Sequence, residues 1–108
     1  MAANNTTELT LSDLDIRRAD PGDRAALESI AAQIWEGDDY LPRVLDAWFS
    51  DHSGGFYIAA LQDRVVGLGK LTKFASGEYW LEGLRVDPEY QGRGIGRIIH
   101  HFLINQLR

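Results

Sequence analysis

The sequence runs to 108 residues, 44% hydrophobic and 25% charged, which is enough for one domain with one modest core and too short for a second. A formal charge of −5 argues against nucleic-acid binding, which needs basic patches to displace counterions from phosphates, and suits a cationic or amine-bearing partner better. With no cysteine there is no disulfide framework, thiolate nucleophile or Cys-type zinc site, so a reducing cytoplasm is the expected compartment.

Residues 1–13 read as a polar, flexible tail without the basic end and apolar run of a secretory signal. No apolar stretch reaches the roughly 20 residues of a membrane span, so no membrane contact is expected. The overlapping Asn-x-Thr sequons at Asn4 and Asn5 then read as chance rather than glycosylation sites.

A domain is expected over residues 14–108. Leu14 to Arg18 alternates apolar and polar residues, as a short strand does. Asp20 suits an N-cap, Pro21 the first helical position and Asp23 the first turn, so a helix follows, with Leu27, Ile30, Ala31, Ile34 and Trp35 on its apolar face. Glu36-Gly37-Asp38-Asp39 breaks it. Pro42 opens a second helix whose Val44, Leu45, Trp48 and Phe49 share one face, and His52 to Gly55 closes it.

Phe56 to Leu61 and Val65 to Phe74 read as a hairpin turning at Gln62-Asp63-Arg64, and Tyr79 to Val86 adds a third strand to the meander. Gly67 and Gly69 fit either close approach of another backbone or a ligand, or a simple bend or bulge. Trp35 and Trp48 are expected in the core, with Trp80 open to a pocket. From Gly94 to Leu107 the apolar residues follow the helical period. The order β-α-α-β-β-β-α implies a mixed α+β domain, a mainly antiparallel sheet covered by helices.

The chemistry concentrates where the third meander strand meets the last helix. A glycine-rich turn there aims several backbone N–H groups and a positive helix end at one point, which suits phosphate. Gly92, Gly94 and Gly96 permit positive φ and close approach, and Arg93 and Arg97 supply charge. A Rossmann fingerprint fails because its third glycine falls on Arg97, and a P-loop fails for want of Gly-Lys-Ser/Thr. His100-His101 does not read as a metal site, because adjacent helical residues diverge by about 100° and no third ligand accompanies them.

The turn Gln91-Gly92-Arg93-Gly94-Ile95-Gly96 does match Gln/Arg-x-x-Gly-x-Gly/Ala, the acetyl-CoA signature of the GCN5-related N-acetyltransferases (GNAT). Leu84-Arg85-Val86-Asp87-Pro88-Glu89-Tyr90 before it also resembles that family, and the order of elements agrees from about residue 14 onward. The resemblance implies a GNAT-like fold that transfers an acetyl group from acetyl-CoA to a primary amine of a small molecule, amino acid or peptide, by direct attack. It implies that Gln91 to Arg97 hold the pyrophosphate. Main-chain groups of Leu84, Arg85 and Val86 would then meet the pantetheine arm, with the Leu84 N–H facing the thioester oxygen. Glu82 is the candidate general base, against the alternative that it faces solvent or pairs with Arg85. Asp38, Asp39 and Tyr40 either border the acceptor pocket or simply break a helix.

The resembled fold continues beyond its cofactor helix with a strand, a helix and two closing strands that complete the cleft, and with a tyrosine that protonates the departing thiolate. The sequence stops at Arg108, and none of its 4 tyrosines matches that position. A truncated form is therefore expected, with completion by a second chain or a short form that binds without reacting as alternatives. Either way Tyr79 to Val86 would present an open edge, inviting a homodimer or a completing partner chain. The alternative function is a non-catalytic CoA-binding or interaction module that pairs through that edge.

Overall fold

The computed structural model describes residues 13–34 and 39–107. The expectations for residues 1–12, for Trp35, Glu36, Gly37 and Asp38, and for Arg108 lie outside the described residues.

Four strands, β1 (Leu14–Arg18), β2 (Gly55–Leu61), β3 (Arg64–Lys73) and β4 (Tyr79–Val86), form one antiparallel sheet in sequence order. Helices α1 (Arg24–Ala32) and α2 (Leu41–Ser50) lie between β1 and β2, and α3 (Ile95–Asn105) follows β4. The architecture is the mixed α+β arrangement expected. Among the described residues β4 pairs with β3 alone, so its outer edge is open. No helix among them is long and apolar enough to cross a membrane.

Local chemistry sets most boundaries. Asp20 accepts from the Gly22 N–H at 2.7 Å, and Asp23 accepts from the Asp20 N–H at 2.9 Å. That reciprocal cap starts a 3-10 turn at Pro21, from which α1 continues. The β2–β3 hairpin turns on Gln62 and Asp63, both at positive φ (49° and 74°), the geometry of a two-residue turn matched to strand twist. Arg64, expected in the turn, already belongs to β3.

All seven residues of β2 are buried because both faces of the sheet are covered. Phe56, Ile58 and Ala60 point to α1 and α2, where they meet Leu27, Ile30, Leu45 and Trp48. Tyr57, Ala59 and Leu61 point to the opposite face, with Ile95, Ile99 and Leu103 of α3. Each such aliphatic side chain contributes about 1.5–3 kcal/mol by leaving water.

Close helix approach explains the glycines of β3. A Cβ at Gly67 would lie 2.7 Å from Ile99 Cδ1, and one at Gly69 would lie 2.8 Å from Leu103 Cδ1. The neighbours are α3 side chains and, at Gly67, also the Arg85 carbonyl oxygen of β4 at 3.0 Å. A bulge accompanies it, since Ala59 faces Gly67 but Ala60 faces Val65.

Candidate functional site

The site begins with a second bulge. Leu68 faces Arg85 while Lys70 faces Glu82, so β4 uses one more residue than β3 over this span, and Gly83 and Leu84 have no Cα partner. Gly83 makes the extra step at φ 70°, and a Cβ there would lie 2.5 Å from Trp48 Cη2. Beyond it Leu84 turns out to 43% exposure, an unusual state for a strand leucine.

Downstream, Asp87 caps a 3-10 turn over Pro88–Tyr90, accepting from the Glu89 N–H at 2.9 Å and from Arg64 Nη2 at 3.2 Å. Gln91 Nε2 donates back to the Val86 carbonyl at 3.3 Å. Gly92 and Gly94 then take φ of 83° and 85°, and nothing lies within 4 Å of a Cβ at either, so backbone conformation rather than crowding selects glycine. Gly94 is the N-cap of α3 and offers no capping side chain.

As a result, none of the main-chain N–H groups from Gly92 to Arg97 donates to another described residue. These six donors, unpartnered among the described residues, stand at the positive end of an eleven-residue helix and form an anion cradle. The turn opens on a cleft of about 650 Å³ walled by the β4 bulge, by the turn itself and by Ile34 and Tyr40. A pyrophosphate fits these donors, and an extended chain running from it fits the strand at exposed Leu84.

Eight of the ten candidate cofactor residues line the cleft: Leu84, Arg85, Val86, Gln91, Gly92, Gly94, Ile95 and Gly96. Arg93 and Arg97 stand outside its wall; the Arg93 guanidinium lies 5.2 Å from the centre of the Tyr90 ring, and Arg97 is exposed. Glu82 is not part of the lining either, but it adjoins Gly83, which is.

The Arg85 side chain is engaged elsewhere. Its Nη2 donates to Asp39 Oδ1 at 2.7 Å, its Nε donates to Asp39 Oδ2, and its guanidinium sits 5.0 Å from the Tyr40 ring centre. Hydrogen bonding to Arg85 holds the Asp39 carboxyl below the ordinary carboxylate range, aided by the Leu41 N–H, and Asp39 raises Arg85 in turn. The alternative pairing of Glu82 with Arg85 is therefore corrected: Arg85 binds Asp39, and Arg85 can offer the cleft its backbone and stem rather than its charge. Of the residues between the first two helices, Tyr40 borders the cleft and Asp39 is buried beneath it.

Glu82 instead accepts from the Thr72 hydroxyl. Sequence reasoning did not single out Thr72, nor Lys70 beside it. The available signal was a lone lysine inside the apolar run Val65 to Leu71, a charge that burial obliges to find partners. Trp80 is 59% exposed, packs edge-on against Phe74 at 4.9 Å and takes no part in the cleft. His100 and His101 are exposed on α3.

Over residues 20–108 the sequence matches the model of the acetyltransferase (GNAT) family. The chain belongs to the GNAT family. It is 28% identical over 95 residues to the histidine N-acetyltransferase of Scomber australasicus, an alignment that covers 87% of this chain and 28% of that relative. The chain thus spans little more than a quarter of that curated relative's length. Among solved structures, a putative acetyltransferase from Pyrococcus horikoshii superposes with a TM-score of 0.75 at 25% identity, covering 89% of this chain and 35% of the other. A GNAT acetyltransferase from Brucella melitensis in complex with acetyl-CoA gives 0.68 at 23% identity, covering 88% and 68%. The GNAT fold expected from the signature turn is thereby established for this chain.

Proposed function

We propose that this GNAT chain binds acetyl-CoA through the Gln91–Arg97 turn and serves the transfer of its acetyl group to a primary amine. The observation that carries this reading is the set of N–H groups from Gly92 to Arg97 that donate to no described residue, opening on a cleft whose facing strand is bulged at Gly83-Leu84. The acetyl-CoA bound by the Brucella melitensis relative supports the choice of ligand.

When bound, acetyl-CoA supplies an activated acetyl carbon, and transfer replaces its C–S bond by a C–N bond, giving an acetamide, the CoA thiol and one proton to solvent. The chain's own residues have three tasks. The Gly92–Arg97 N–H groups hold the pyrophosphate, with Arg93 and Arg97 adding charge. Leu84, Arg85 and Val86 present main chain to the pantetheine arm, and the Leu84 N–H is the donor assigned to the carbonyl oxygen, where negative charge develops. Glu82, directly or through water, takes the proton that the incoming ammonium must lose before it can attack. For the acceptor, the likeness to a histidine N-acetyltransferase favours a free amino acid.

The test is CoA-dependent thermal protection. At a CoA concentration about 100 times Kd, the bound form gains about 2.7 kcal/mol and the unfolding midpoint rises. Gly94→Ala should abolish most of that gain, because alanine strains φ of 85° and distorts the cradle. Gly77→Ala, at φ 94° in a distant open turn, carries similar strain and should leave the gain intact. Absence of protection in the wild-type protein, or equal protection in both variants, defeats the proposal.

A second reading has its own observation, the open outer edge of β4 beside exposed Tyr79 and Trp80. It makes the chain a CoA-binding module that pairs with a partner through that edge. CoA protection without thiol release from acetyl-CoA, across a panel of amines, would favour it.

A further inference from the structure

The carboxylate of Glu82, the base of the proposed reaction, is held by a relay of three more side chains on the same side of the sheet. Lys70, directly opposite Glu82 on β3, is 1% exposed. Its Nζ donates to Asp51 Oδ2 at 2.6 Å, to the Leu71 carbonyl at 2.9 Å and to Thr72 Oγ1 at 3.1 Å. An ammonium has three N–H groups and no lone pair, so these three acceptors use it completely.

That count fixes the polarity of the next bond. Thr72 Oγ1 accepts a hydrogen bond from the Lys70 ammonium, which can accept none in return, so the hydroxyl donates its single hydrogen bond to Glu82 Oε2. No described residue bonds Glu82 Oε1. Asp51, where α2 ends, anchors the far side: its Oδ1 accepts from the Ser53 hydroxyl at 2.8 Å and from the Ser53 N–H at 3.0 Å. The Lys70 ammonium also lies 6.0 Å from the Trp48 ring centre, and Trp48 is the residue that packs on Gly83 of the bulge. The chain Asp51–Lys70–Thr72–Glu82 therefore runs from the end of α2 to the strand that walls the cleft.

We propose that Lys70 and Thr72 are positioning residues for Glu82: the Lys70 ammonium directs the Thr72 hydroxyl, which holds Oε2 and leaves Oε1 to accept the proton of the incoming amine. The inference rests on the reading of Glu82 as general base. A purely structural role for the same groups would tie α2 to β3 through the Lys70–Asp51 pair and would be indifferent to the direction of one hydroxyl.

The experiment compares Thr72→Val, which keeps shape and removes the hydroxyl, with Thr72→Ser, which keeps the hydroxyl, each alone and in a Glu82→Gln background. Initial rates are measured with saturating acetyl-CoA and a free amino acid acceptor, and CoA-dependent thermal protection reports folding and cofactor binding. Thr72→Val should lower kcat about tenfold to a hundredfold, as misplacing a catalytic group does, with KM for acetyl-CoA and thermal protection unchanged. Thr72→Ser should restore the rate to within about threefold of wild type, well short of the loss expected of a misplaced group. In the Glu82→Gln background Thr72→Val should cost nothing further, because its only route to the chemistry is gone.

Glu82→Gln at the wild-type rate overturns the base reading, and this inference with it. A slow Glu82→Gln beside a fully active Thr72→Val overturns the inference alone. Equal losses in Thr72→Val and Thr72→Ser, or an undiminished loss in the Glu82→Gln background, assign the effect to packing and also overturn it. A wild-type protein that releases no CoA thiol with any amine ends both.

Discussion

Arg85 on β4 and Asp39 at the entrance to α2 stand 46 residues apart in sequence and meet through two hydrogen bonds, with side chains 9% and 0% exposed. The pair fastens the segment entering α2 to the strand that walls the cleft. It also places Tyr40, which lines the cleft, against the Arg85 guanidinium. Removing one partner strands the other charge out of water, so Asp39→Ala should cost about 3–5 kcal/mol in urea denaturation. Replacing both, Asp39→Ala with Arg85→Met, should cost less than Asp39→Ala alone. A double variant as unstable as the sum of the singles would show that the two residues do not act as a pair.

Three carboxylates predict the direction of the acid response. Asp39 is held below its ordinary range by Arg85, Asp23 by Arg17, and Asp51 by Lys70 and Ser53. Each has a lower pKa folded than unfolded, so the unfolded chain binds more protons in acid and stability rises with pH there. Their contribution is fully present above the unfolded value of about 3.9 and is lost as pH falls through it towards the folded values. The urea midpoint should therefore hold from about pH 7 to about pH 5 and fall steeply towards pH 3. Asp39→Asn should lower the plateau and flatten the fall; an unchanged slope would remove Asp39 from the account.

The parts of this protein legible from sequence are those with local causes. Asp20-Pro21 announces a cap and a helix start within four residues, and the glycines at 92 and 94 announce positive φ at the mouth of α3. Pairings across the sheet have no such signature. Arg85 had a carboxylate three residues away in Glu82 and took Asp39 instead, a partner 46 positions away that only the fold brings beside it. Lys70 sits in a run whose burial on both faces hides the alternation that would have flagged an inward charge. Gly67 and Gly69 meet both readings at once, since α3 packs on them and the sheet bulges beside them, and neither feature has a local signature.

Gly83 is the position at which backbone and packing demands coincide. Alanine there must adopt φ of 70° and would place its Cβ 2.5 Å from Trp48 Cη2, whereas Gly77→Ala at φ 94° meets nothing. Gly83→Ala should therefore destabilise by about 2–4 kcal/mol, combining left-handed strain with overpacking. Gly77→Ala should cost about 1–2 kcal/mol from strain alone. Because the bulge also turns Leu84 out to 43% exposure beside the cleft, CoA protection should weaken in Gly83→Ala at matched fractional stability. Equal losses in the two variants would mean that Trp48 yields and the bulge tolerates a side chain.

Arg93 and Arg97 should act on the cofactor through charge alone, since neither lines the cleft and Arg97 is exposed. An exposed ion pair, such as Arg97 with a bound phosphate, is worth about 0.2–1 kcal/mol and fades with salt. Arg97→Ala should accordingly raise the Kd for CoA by about 1.5-fold to fivefold at low ionic strength, with the difference shrinking at about 0.5 M salt. Pantetheine, which lacks the pyrophosphate, should bind wild type and variant alike. Calorimetric titration with both ligands separates the outcomes: an Arg97→Ala effect that persists in high salt, or that extends to pantetheine, would place Arg97 against the arm rather than the phosphates.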